Sequence, residues 1–238
     1  MQWHQSAGIL GFVACLSGGA AGDWVFAQSA QPHCDINSVF TDPGFDVWVA
    51  RFERHGREVY DRRHDIVAAT GVKPGMVVAD IGAGTGLFTR LFSPRVGASG
   101  KVYAVDISAE FVHNITRLSR AQGQTNVTGV VNSRTGLGLA PQSLDLAFIC
   151  DSYHHFDYPS AMIQSVRAAL RPGGSLVVID FRRIPGFSSS WVMGHVRANE
   201  AAVVSEIEAS GFRLVEDRDF LRTNYFLRFV PLKSGSMK

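Results

Sequence analysis

The sequence predicts an α/β protein whose sheet is doubly wound, with about seven strands that are mostly parallel and an antiparallel last strand. Strand-like and helix-like segments alternate from residue 76 onward, the pattern of parallel strands joined by helices. Several strand segments are almost entirely apolar, as expected when helices cover both faces of a sheet. With 238 residues, 46% of them hydrophobic and 18% charged, the chain can bury the core of one large Rossmann-like domain.

The N-terminal residues 1–27 are predicted to form a signal peptide. Residues 7–22 are small, apolar and uncharged, too short to span a bilayer but suited to the hydrophobic region of an export signal. Residues 25–27 (Val-Phe-Ala) offer a cleavage site, although no Lys or Arg precedes the apolar stretch. We therefore expect a periplasmic or secreted protein. The alternatives are a lipoprotein signal at Cys15 and a cytoplasmic protein with an N-terminal extension.

A lead-in segment at 28–44 precedes the main domain at 45–232, and a short tail follows at 233–238. The domain opens with a helical cap, or lid, at 45–70, where apolar residues recur at spacings near three, four and seven. Gly56 lies inside this pattern and can separate two helices. The sequence thus predicts one domain with an N-terminal helical lid.

Hydrophobic periodicity and turn residues place the elements of the domain in order. The predicted strands are 76–80, 101–106, 126–131, 144–150, 175–180, 212–217 and 224–230. The predicted helices between them are 85–92, which Ser93-Pro94 should end, 109–122, 160–170 and 196–209. Ligands of such sheets bind outside the carboxyl ends of the strands, so functional residues are expected just after positions 80, 106, 131, 150 and 180.

A glycine-rich loop follows the first predicted strand and opens the next helix. Gly82, Gly84 and Gly86 allow the backbone to turn sharply and to approach a ligand closely. Their spacing is G-x-G-x-G, which differs from the G-x-G-x-x-G of dinucleotide-binding loops. Asp80 stands directly before the loop and would repel a phosphate, so a ligand with an ammonium group fits better. Asp106, about twenty residues past the loop, can bind both hydroxyls of a ribose.

Four motifs resemble those of class I S-adenosylmethionine-dependent methyltransferases. Residues 79–86 (Ala-Asp-Ile-Gly-Ala-Gly-Thr-Gly) are similar to motif I, and 105–108 (Val-Asp-Ile-Ser) to the acidic end of the second strand. Residues 170–176 (Leu-Arg-Pro-Gly-Gly-Ser-Leu) resemble the turn before the fifth strand, and 210–212 (Ser-Gly-Phe) the turn before the sixth. The resemblance covers roughly one domain. It is nearest to the methyltransferase type 11 group, which includes ubiquinone- and menaquinone-biosynthesis enzymes.

The resemblance implies S-adenosylmethionine as the cofactor, and it assigns the residues that bind it. These are Asp80, Gly82, Ala83, Gly84, Gly86, Asp106, Ile107, Asn132, Ser133 and Tyr60. The glycine loop would lie against the amino-acid part of the cofactor, with Asp80 near its ammonium. Asp106 would bind the ribose hydroxyls, and Ile107 would pack on the adenine. The family often has an acid after the third strand, whereas this chain has Asn132 and Ser133 to meet the adenine amine. Tyr60, on the helical lid, would touch the cofactor carboxylate or the substrate.

Polar residues after the fourth strand are the candidates for catalysis. Asp151, Tyr153, His154 and His155 follow that strand, whose end faces the methyl sulfonium in this family. Methyl transfer is an in-line displacement that requires alignment and the removal of a proton from some acceptors. A histidine can act as the base, and a neighbouring aspartate can orient it. His195 is expected at the same rim. The alternative is that one of the two adjacent histidines only packs in the interior.

A second group of polar residues follows the fifth strand. Asp180, Arg182 and Arg183, with His195 and Arg197 further on, can border the same pocket and recognise an acidic substrate group. The alternative for the arginines is a solvated loop. The histidines and acids of the rim also raise the question of a metal, but no closely spaced metal-binding motif supports one, and none is predicted.

Composition and motifs narrow the range of functions. The net charge is +2 and no run of Lys or Arg stands out, so no nucleic-acid partner is expected. No integral membrane span is expected either, because the apolar stretch at 7–22 is too short. The Asn-Pro-Pro-Tyr type of loop found in amide and adenine N-methyltransferases is absent after the fourth strand. Cys150 is preceded by Ile149, whereas cytosine C5 methyltransferases have a proline beside their attacking cysteine. Neither class is therefore expected. We expect methyl transfer to a small molecule. The alternatives are a cofactor-binding sensor or inactive partner subunit and, more remotely, a nicotinamide-dependent oxidoreductase, which the glycine spacing disfavours.

Overall fold

The structure, a computed structural model, describes residues 36–37 and 44–232. The predicted signal peptide, the tail and most of the lead-in segment lie outside the described residues, so their assignment stays a prediction. Among the described helices, none combines the length and the apolar composition that crossing a bilayer requires.

Within the described residues, seven strands form one sheet in the order β3-β2-β1-β4-β5-β7-β6. The strands are β1 (Val77–Ile81), β2 (Lys101–Asp106), β3 (Val127–Val131), β4 (Leu144–Cys150), β5 (Leu170–Phe181), β6 (Phe212–Asp217) and β7 (Asn224–Pro231). Strands β1 to β5 pair in parallel, and β7 runs antiparallel to both β5 and β6. The predicted doubly wound sheet with an antiparallel last strand is confirmed. Its switch point, where chain connections reverse direction, lies between β1 and β4.

The described helices flank this sheet and precede it as a cap. They are α1 (Phe45–Phe52), α2 (Glu58–Asp61), α3 (Arg63–Ala69), α4 (Leu87–Val96), α5 (Ala109–Ala121), α6 (Pro159–Ala169), α7 (Ser190–His195) and α8 (Glu200–Ala209). A single 3₁₀ turn, Tyr153–His155, follows β4. The cap therefore consists of three short helices, and Gly56, with φ of 88°, stands between the first and second.

The sheet separates the two large apolar clusters of the described core, one on each face, and a small third cluster consists of Ala83, Ala104 and Ile115. Along β4, Leu146 and Phe148 belong to one cluster, whereas Ala147 and Ile149 belong to the other, because successive side chains point to opposite faces. Helices α3 and α4 contribute to the first cluster, and α6 and α8 to the second. Burial on both faces explains why the strand segments are so apolar.

Helix α4 continues past Ser93-Pro94 to Val96, contrary to the predicted end. A proline has no N–H, so Pro94 leaves the carbonyl four residues earlier, that of Arg90, without its helical partner. The side chain of Gln124 donates a hydrogen bond of 3.0 Å to that carbonyl. The amide of Asn126 caps the carbonyls of Ser93 and Gly97. Side chains from the neighbouring turn thus satisfy the backbone groups that would otherwise have ended the helix.

The predicted helix 196–209 begins only at Glu200, and a separate helix that was not predicted, α7, precedes it at Ser190–His195. Asn199 caps α8 by accepting a hydrogen bond from the backbone N–H of Ala202, and Ser189 caps α7 in the same way through Val192. His195 is therefore the last residue of α7. Likewise, β5 begins at Leu170 rather than at the predicted residue 175.

The cap is fixed to the sheet by the carboxylate of Glu58 in α2. This carboxylate accepts hydrogen bonds from the backbone N–H groups of Arg222, Thr223 and Asn224, at 2.6 to 3.1 Å. Burial raises the pKa of Glu58, but these hydrogen bonds outweigh it and lower the pKa overall. The end of the loop before β7 and the start of α2 are thus held together beside the carboxyl edge of the sheet.

Candidate cofactor and acceptor site

Two cavities meet at the carboxyl edge of the parallel strands. The smaller, about 150 Å³, lies over the glycine loop, and we call it the loop cavity. The larger, about 1110 Å³, lies beside the end of β5, and we call it the β5 cavity. Phe52, Arg57, Asp151 and His155 line both, so these four side chains form the boundary between the two spaces.

The glycine loop fits a closely approaching ligand. Gly82, Gly84 and Gly86 have φ of 69°, 55° and 80°, a region that side chains other than glycine rarely adopt. A Cβ atom at Gly82 would overlap the side chain of Ser152, and one at Gly84 would lie 3.5 Å from the ring of Phe52. The loop therefore presents bare backbone to the loop cavity, as the predicted cofactor requires.

Asp106 lies at the end of β2 with both carboxylate oxygens already oriented. Oδ2 accepts a hydrogen bond of 2.8 Å from the N–H of Gly84, and Oδ1 accepts one of 2.9 Å from Ser108. A carboxylate has about four lone-pair sites, so each oxygen can accept one more bond, as a pair of ribose hydroxyls would need. Ile107 beside it is 48% exposed at the cavity, which suits packing on a flat ring.

Asp80 is buried at the floor of the loop cavity. Its Oδ2 accepts a hydrogen bond of 2.6 Å from the hydroxyl of Thr89. Burial raises the pKa of Asp80 to about 6, against the effect of this hydrogen bond. A buried carboxylate whose hydrogen bonds come from the uncharged hydroxyl and backbone N–H of Thr89 gains strongly from an ammonium group, so the residue fits its predicted role.

Cofactor affinity is expected to fall about tenfold per pH unit below pH 6. The raised pKa of Asp80 means that the free protein takes up a proton there, whereas the complex with an ammonium group favours the carboxylate. The α-ammonium of the cofactor stays protonated between pH 5 and about 7, so it does not contribute in that range. Calorimetric titration with S-adenosylmethionine between pH 5 and 7 measures the slope. Asp80→Asn should flatten it, while Asp65→Asn on the exposed side of α3 should not.

Eight of the ten predicted cofactor residues line the loop cavity. They are Asp80, Gly82, Ala83, Gly84, Asp106, Ile107, Asn132 and Ser133. Gly86 does not, because it faces α5, where a Cβ would lie 2.8 Å from Ile115. Tyr60 does not either: it packs on the apolar cluster beneath α3, with Arg63 4.3 Å above its ring.

Arg57 of the cap is a residue that the sequence analysis missed. Its guanidinium donates a hydrogen bond of 2.7 Å to Oδ2 of Asp151 and another of 2.9 Å to the carbonyl of Phe52. Asn224 donates to the other oxygen of Asp151 at 2.6 Å. Burial raises the pKa of Asp151, against the Arg57 charge. Asp151 also has φ of 48°, in the left-handed region where residues other than glycine are uncommon, and such residues cluster at functional sites.

Replacing Arg57 with alanine is expected to destabilise the protein by about 2 kcal/mol, since Asp151 loses one charged partner but keeps Asn224. Chemical denaturation measures the free energy of unfolding. The exposed Arg51→Ala should have almost no effect. Adding Asp151→Asn to Arg57→Ala should recover part of the loss, because the unpaired buried charge is removed. Equal stability of Arg57→Ala and wild type would contradict this account.

The predicted catalytic residues separate at the 3₁₀ turn. His154 is buried and its Nδ1 lies 2.7 Å from Oδ1 of Asp180, at the end of β5. Tyr153 points into the core instead, and its hydroxyl donates a hydrogen bond of 2.8 Å to Glu206, which also pairs with Arg197. Tyr153 lines neither cavity, so the structure does not place it among the groups that can touch a substrate.

His154, His155 and His195 lie together at the β5 cavity. Their ring centroids are 4.2 Å apart for the first two and 5.2 Å apart for each of the other pairs. Burial lowers the pKa of His154, but Asp180 outweighs this and the pKa is raised overall. Burial and the two neighbouring imidazoles lower the pKa of His155 to about 3, and burial with His154 also lowers that of His195. The site thus contains neutral imidazoles next to one that a carboxylate orients.

The other polar candidates are occupied by partners within the protein. Arg182 pairs with Glu200 and Asp219, and Arg183 donates to the carbonyl of Met193. The expectation that these arginines meet an acidic substrate group is therefore not supported by the geometry. The wall of the β5 cavity is instead rich in aromatic side chains: Trp48, Phe52, Phe181, Phe187 and Trp191.

Comparisons with known proteins agree with this geometry. Residues 78–174 match the methyltransferase domain family. The ubiquinone/menaquinone biosynthesis C-methyltransferase UbiE of Hydrogenovibrio crunogenus is 30% identical over 124 residues, which cover 52% of this chain and 48% of that protein. UbiE of Shewanella oneidensis is 30% identical over 170 residues, 66% of this chain and 67% of that protein. With the first of these relatives, the match spans about half of the relative's length.

Solved structures share the fold at lower sequence identity. A SAM-dependent methyltransferase from Aquifex aeolicus has a TM-score of 0.69 and 22% identity, over 77% of this chain and 96% of that one. The [4+2]-cyclase SpnF has a TM-score of 0.63 and 20% identity, over 76% and 72% of the two chains. With the match to the S. oneidensis relative, the glycine loop and the strand order, these findings identify the family. The chain belongs to the class I S-adenosylmethionine-dependent methyltransferases.

Proposed function

We propose that the protein transfers a methyl group from S-adenosylmethionine to a small molecule bound in the β5 cavity. The observation that carries the proposal is the shared boundary of the two cavities. Phe52, Arg57, Asp151 and His155 line both spaces, so a ligand on the glycine loop and a second ligand beside β5 would meet there. This is the arrangement that an in-line displacement between two bound molecules needs.

The cofactor would be held through its polar groups at one end of β1 and of β2. Asp80 would bind the ammonium, the bare backbone of the glycine loop would approach the amino-acid part, and Asp106 would accept from the ribose hydroxyls. When bound, S-adenosylmethionine supplies an electrophilic methyl group on its sulfonium. Arg57 and Phe52 of the cap would close over this region and exclude water.

His154 is the residue best placed to take a proton from the acceptor. Its Nδ1 faces the Asp180 carboxylate, which fixes the ring and leaves Nε2 as the free nitrogen. An acceptor hydroxyl would lose its proton to His154 as a lone pair of the acceptor forms the bond to the methyl carbon. The sulfur–carbon bond breaks with its electrons on sulfur, and S-adenosylhomocysteine remains. Asp180 acts through His154 and is a positioning residue.

The aromatic wall of the β5 cavity favours an acceptor with a flat, apolar body. Phe181, Phe187 and Trp191 offer faces and edges for such a ring, and Phe187 and Trp191 are about half exposed there. The relatives named above are C-methyltransferases of quinone biosynthesis, whose name fits a ring-containing acceptor. A hydroxyl on such a ring could give its proton to His154.

Incubation with methyl-labelled S-adenosylmethionine and a metabolite extract tests the proposal. We expect one or a few labelled small molecules by mass spectrometry, together with S-adenosylhomocysteine, and neither with Asp106→Ala protein. A protein that binds the cofactor but labels no acceptor in any extract would instead be a sensor or an inactive partner subunit.

We also propose that the chain is exported, on the basis of residues 1–27. Because the cofactor is made in the cytoplasm, an exported enzyme would have to be loaded before export or supplied outside. Fractionation of cells and sequencing of the mature N-terminus test this. A mature protein that starts at residue 28 in the periplasm or medium is expected, whereas an intact N-terminus in the cytoplasm would contradict export.

A further inference from the structure

Three imidazoles from two parts of the chain converge at the β5 cavity. His154 and His155 come from the 3₁₀ turn after β4, and His195 comes from the last position of α7. One ring nitrogen of each lies within 4.8 Å of the corresponding nitrogens of the other two. His154 is buried and the other two are partly exposed, so the group sits at the cavity wall and not on the open surface.

We propose that His154, His155 and His195 bind a divalent transition-metal ion of the Zn²⁺ type, with one coordination position open to the β5 cavity. Imidazole nitrogen is a preferred ligand of such ions, and three histidines with a free fourth position are one of the known arrangements of catalytic zinc. Metal binding itself does not depend on the proposed methyl transfer.

The hydrogen bonds around the cluster fix the ring proton of two of the histidines on Nδ1. Nδ1 of His154 faces Asp180 at 2.7 Å, a carboxylate, so Nδ1 carries the proton and Nε2 is the free nitrogen. Asn37 donates through its amide to the carbonyl of His155 and to Asp157, so its Oδ1 is the acceptor for Nδ1 of His155 at 2.9 Å. This pattern, in which an outer carboxylate or amide fixes the ring, is typical of histidines that bind metals.

The spacing of the rings is close to that of a metal site. With Zn–N bonds of about 2.1 Å, the nitrogens of a tetrahedral site lie about 3.4 Å apart and the ring centroids about 5 Å apart. The observed centroid separations are 4.2, 5.2 and 5.2 Å. The ring nitrogens now lie within 4.8 Å of one another, so they would have to approach somewhat further to bind one ion. The ring of His195 stacks on Trp191 at 4.4 Å, which holds it near the other two.

Charge also favours a cation at this position. Three imidazoles in contact would repel one another if all were protonated, so the cluster favours neutral rings, which can bind a cation. The buried carboxylate of Asp180, directly behind His154, compensates one added positive charge. Asp180 would thus neutralise part of the charge of the ion through the ring of His154. The same carboxylate orients the ring that the ion would bind.

An ion here would change how the acceptor is activated, a consequence that rests on the proposed function. Its open position faces the β5 cavity and would take an acceptor hydroxyl oxygen. A bound divalent ion lowers the pKa of such a hydroxyl, so its proton would pass to solvent in the cavity and His154 would not be needed as the base. The acceptor would then be a molecule that binds metal through oxygen.

The test uses the full chain without a histidine tag, stripped with a chelator and titrated with Zn²⁺ in a calorimeter. We expect one ion per chain with a micromolar or lower Kd, and Co²⁺ should give the intense visible absorption of a tetrahedral site. His195→Ala should weaken binding at least about 100-fold, while His113→Ala on the exposed face of α5 should not. Circular dichroism and cofactor binding verify that both variants are folded.

The outcomes separate this inference from the proposed function. Equal Zn²⁺ binding by wild type, His195→Ala and His113→Ala, or no binding at high micromolar Zn²⁺, would overturn the metal site. If the stripped protein fails to bind Zn²⁺ and still methylates an acceptor, the metal site is wrong and the methyl transfer stands. Zn²⁺ binding that is lost in His195→Ala supports the site even if no acceptor is methylated.

Discussion

Replacing Asp106 with alanine is expected to weaken S-adenosylmethionine binding on the order of 10³-fold. Each oxygen of Asp106 can accept one ribose hydroxyl, and hydrogen bonds to a charged group contribute about 1.5–3 kcal/mol each. In the wild type, the N–H groups of Gly84 and Ser108 donate hydrogen bonds of 2.8 and 2.9 Å to the carboxylate of Asp106. The change removes both hydrogen bonds, so the glycine loop also loses its support. Calorimetric titration with the cofactor at pH 7 measures the effect.

Two further variants separate the ribose contacts from the support of the loop. Asp106→Asn keeps one acceptor oxygen and should show an intermediate loss of affinity. Asp65→Ala, which changes an exposed aspartate of α3 that pairs with Arg62, should bind the cofactor like wild type. An affinity of Asp106→Ala within a fewfold of wild type would place the ribose elsewhere and remove the main support for the assigned cofactor site.

The cofactor half of the site could be predicted because its signals are local in sequence. In a parallel sheet the end of each strand lies at one edge, so Asp80, the glycine loop and Asp106 had to meet once the strands were placed. Eight of the ten residues then line one cavity. Gly86 shares the loop but serves the packing of α4 against α5, a role that glycine spacing alone does not distinguish from ligand binding.

The acceptor half depends on contacts between distant segments, which a single sequence does not reveal. Arg57 and Asp151 pair although 94 positions separate them, and no motif marks an arginine of the cap as the partner of that acid. His195 reaches His154 only because α7 ends there, and the sequence analysis predicted no helix at 190–195 but one that starts at residue 196. Tyr153 and His154 are adjacent, yet the 3₁₀ turn sends one to Glu206 and the other to Asp180.

Replacing His154 with alanine is expected to lower kcat for methyl transfer by about 10²–10⁴-fold, with little change in the KM for S-adenosylmethionine. His154 is the only buried histidine among the described residues, and its ring faces the β5 cavity, away from the glycine loop. Loss of the ring removes the group that activates the acceptor, whether directly or through a bound ion. Steady-state kinetics with each substrate varied in turn measure the two effects, and His113→Ala is the matched control.

Asp180→Asn distinguishes orientation of that ring from simple packing. The variant has nearly the same shape, but its amide can donate to Nδ1 of His154 and would move the ring proton to Nε2. The nitrogen facing the cavity would then carry a hydrogen and could neither accept a proton nor bind an ion. We expect a loss of kcat of about 10²-fold or more with unchanged cofactor affinity. Wild-type kcat in Asp180→Asn, together with a loss in His154→Ala, would mean that His154 acts without Asp180.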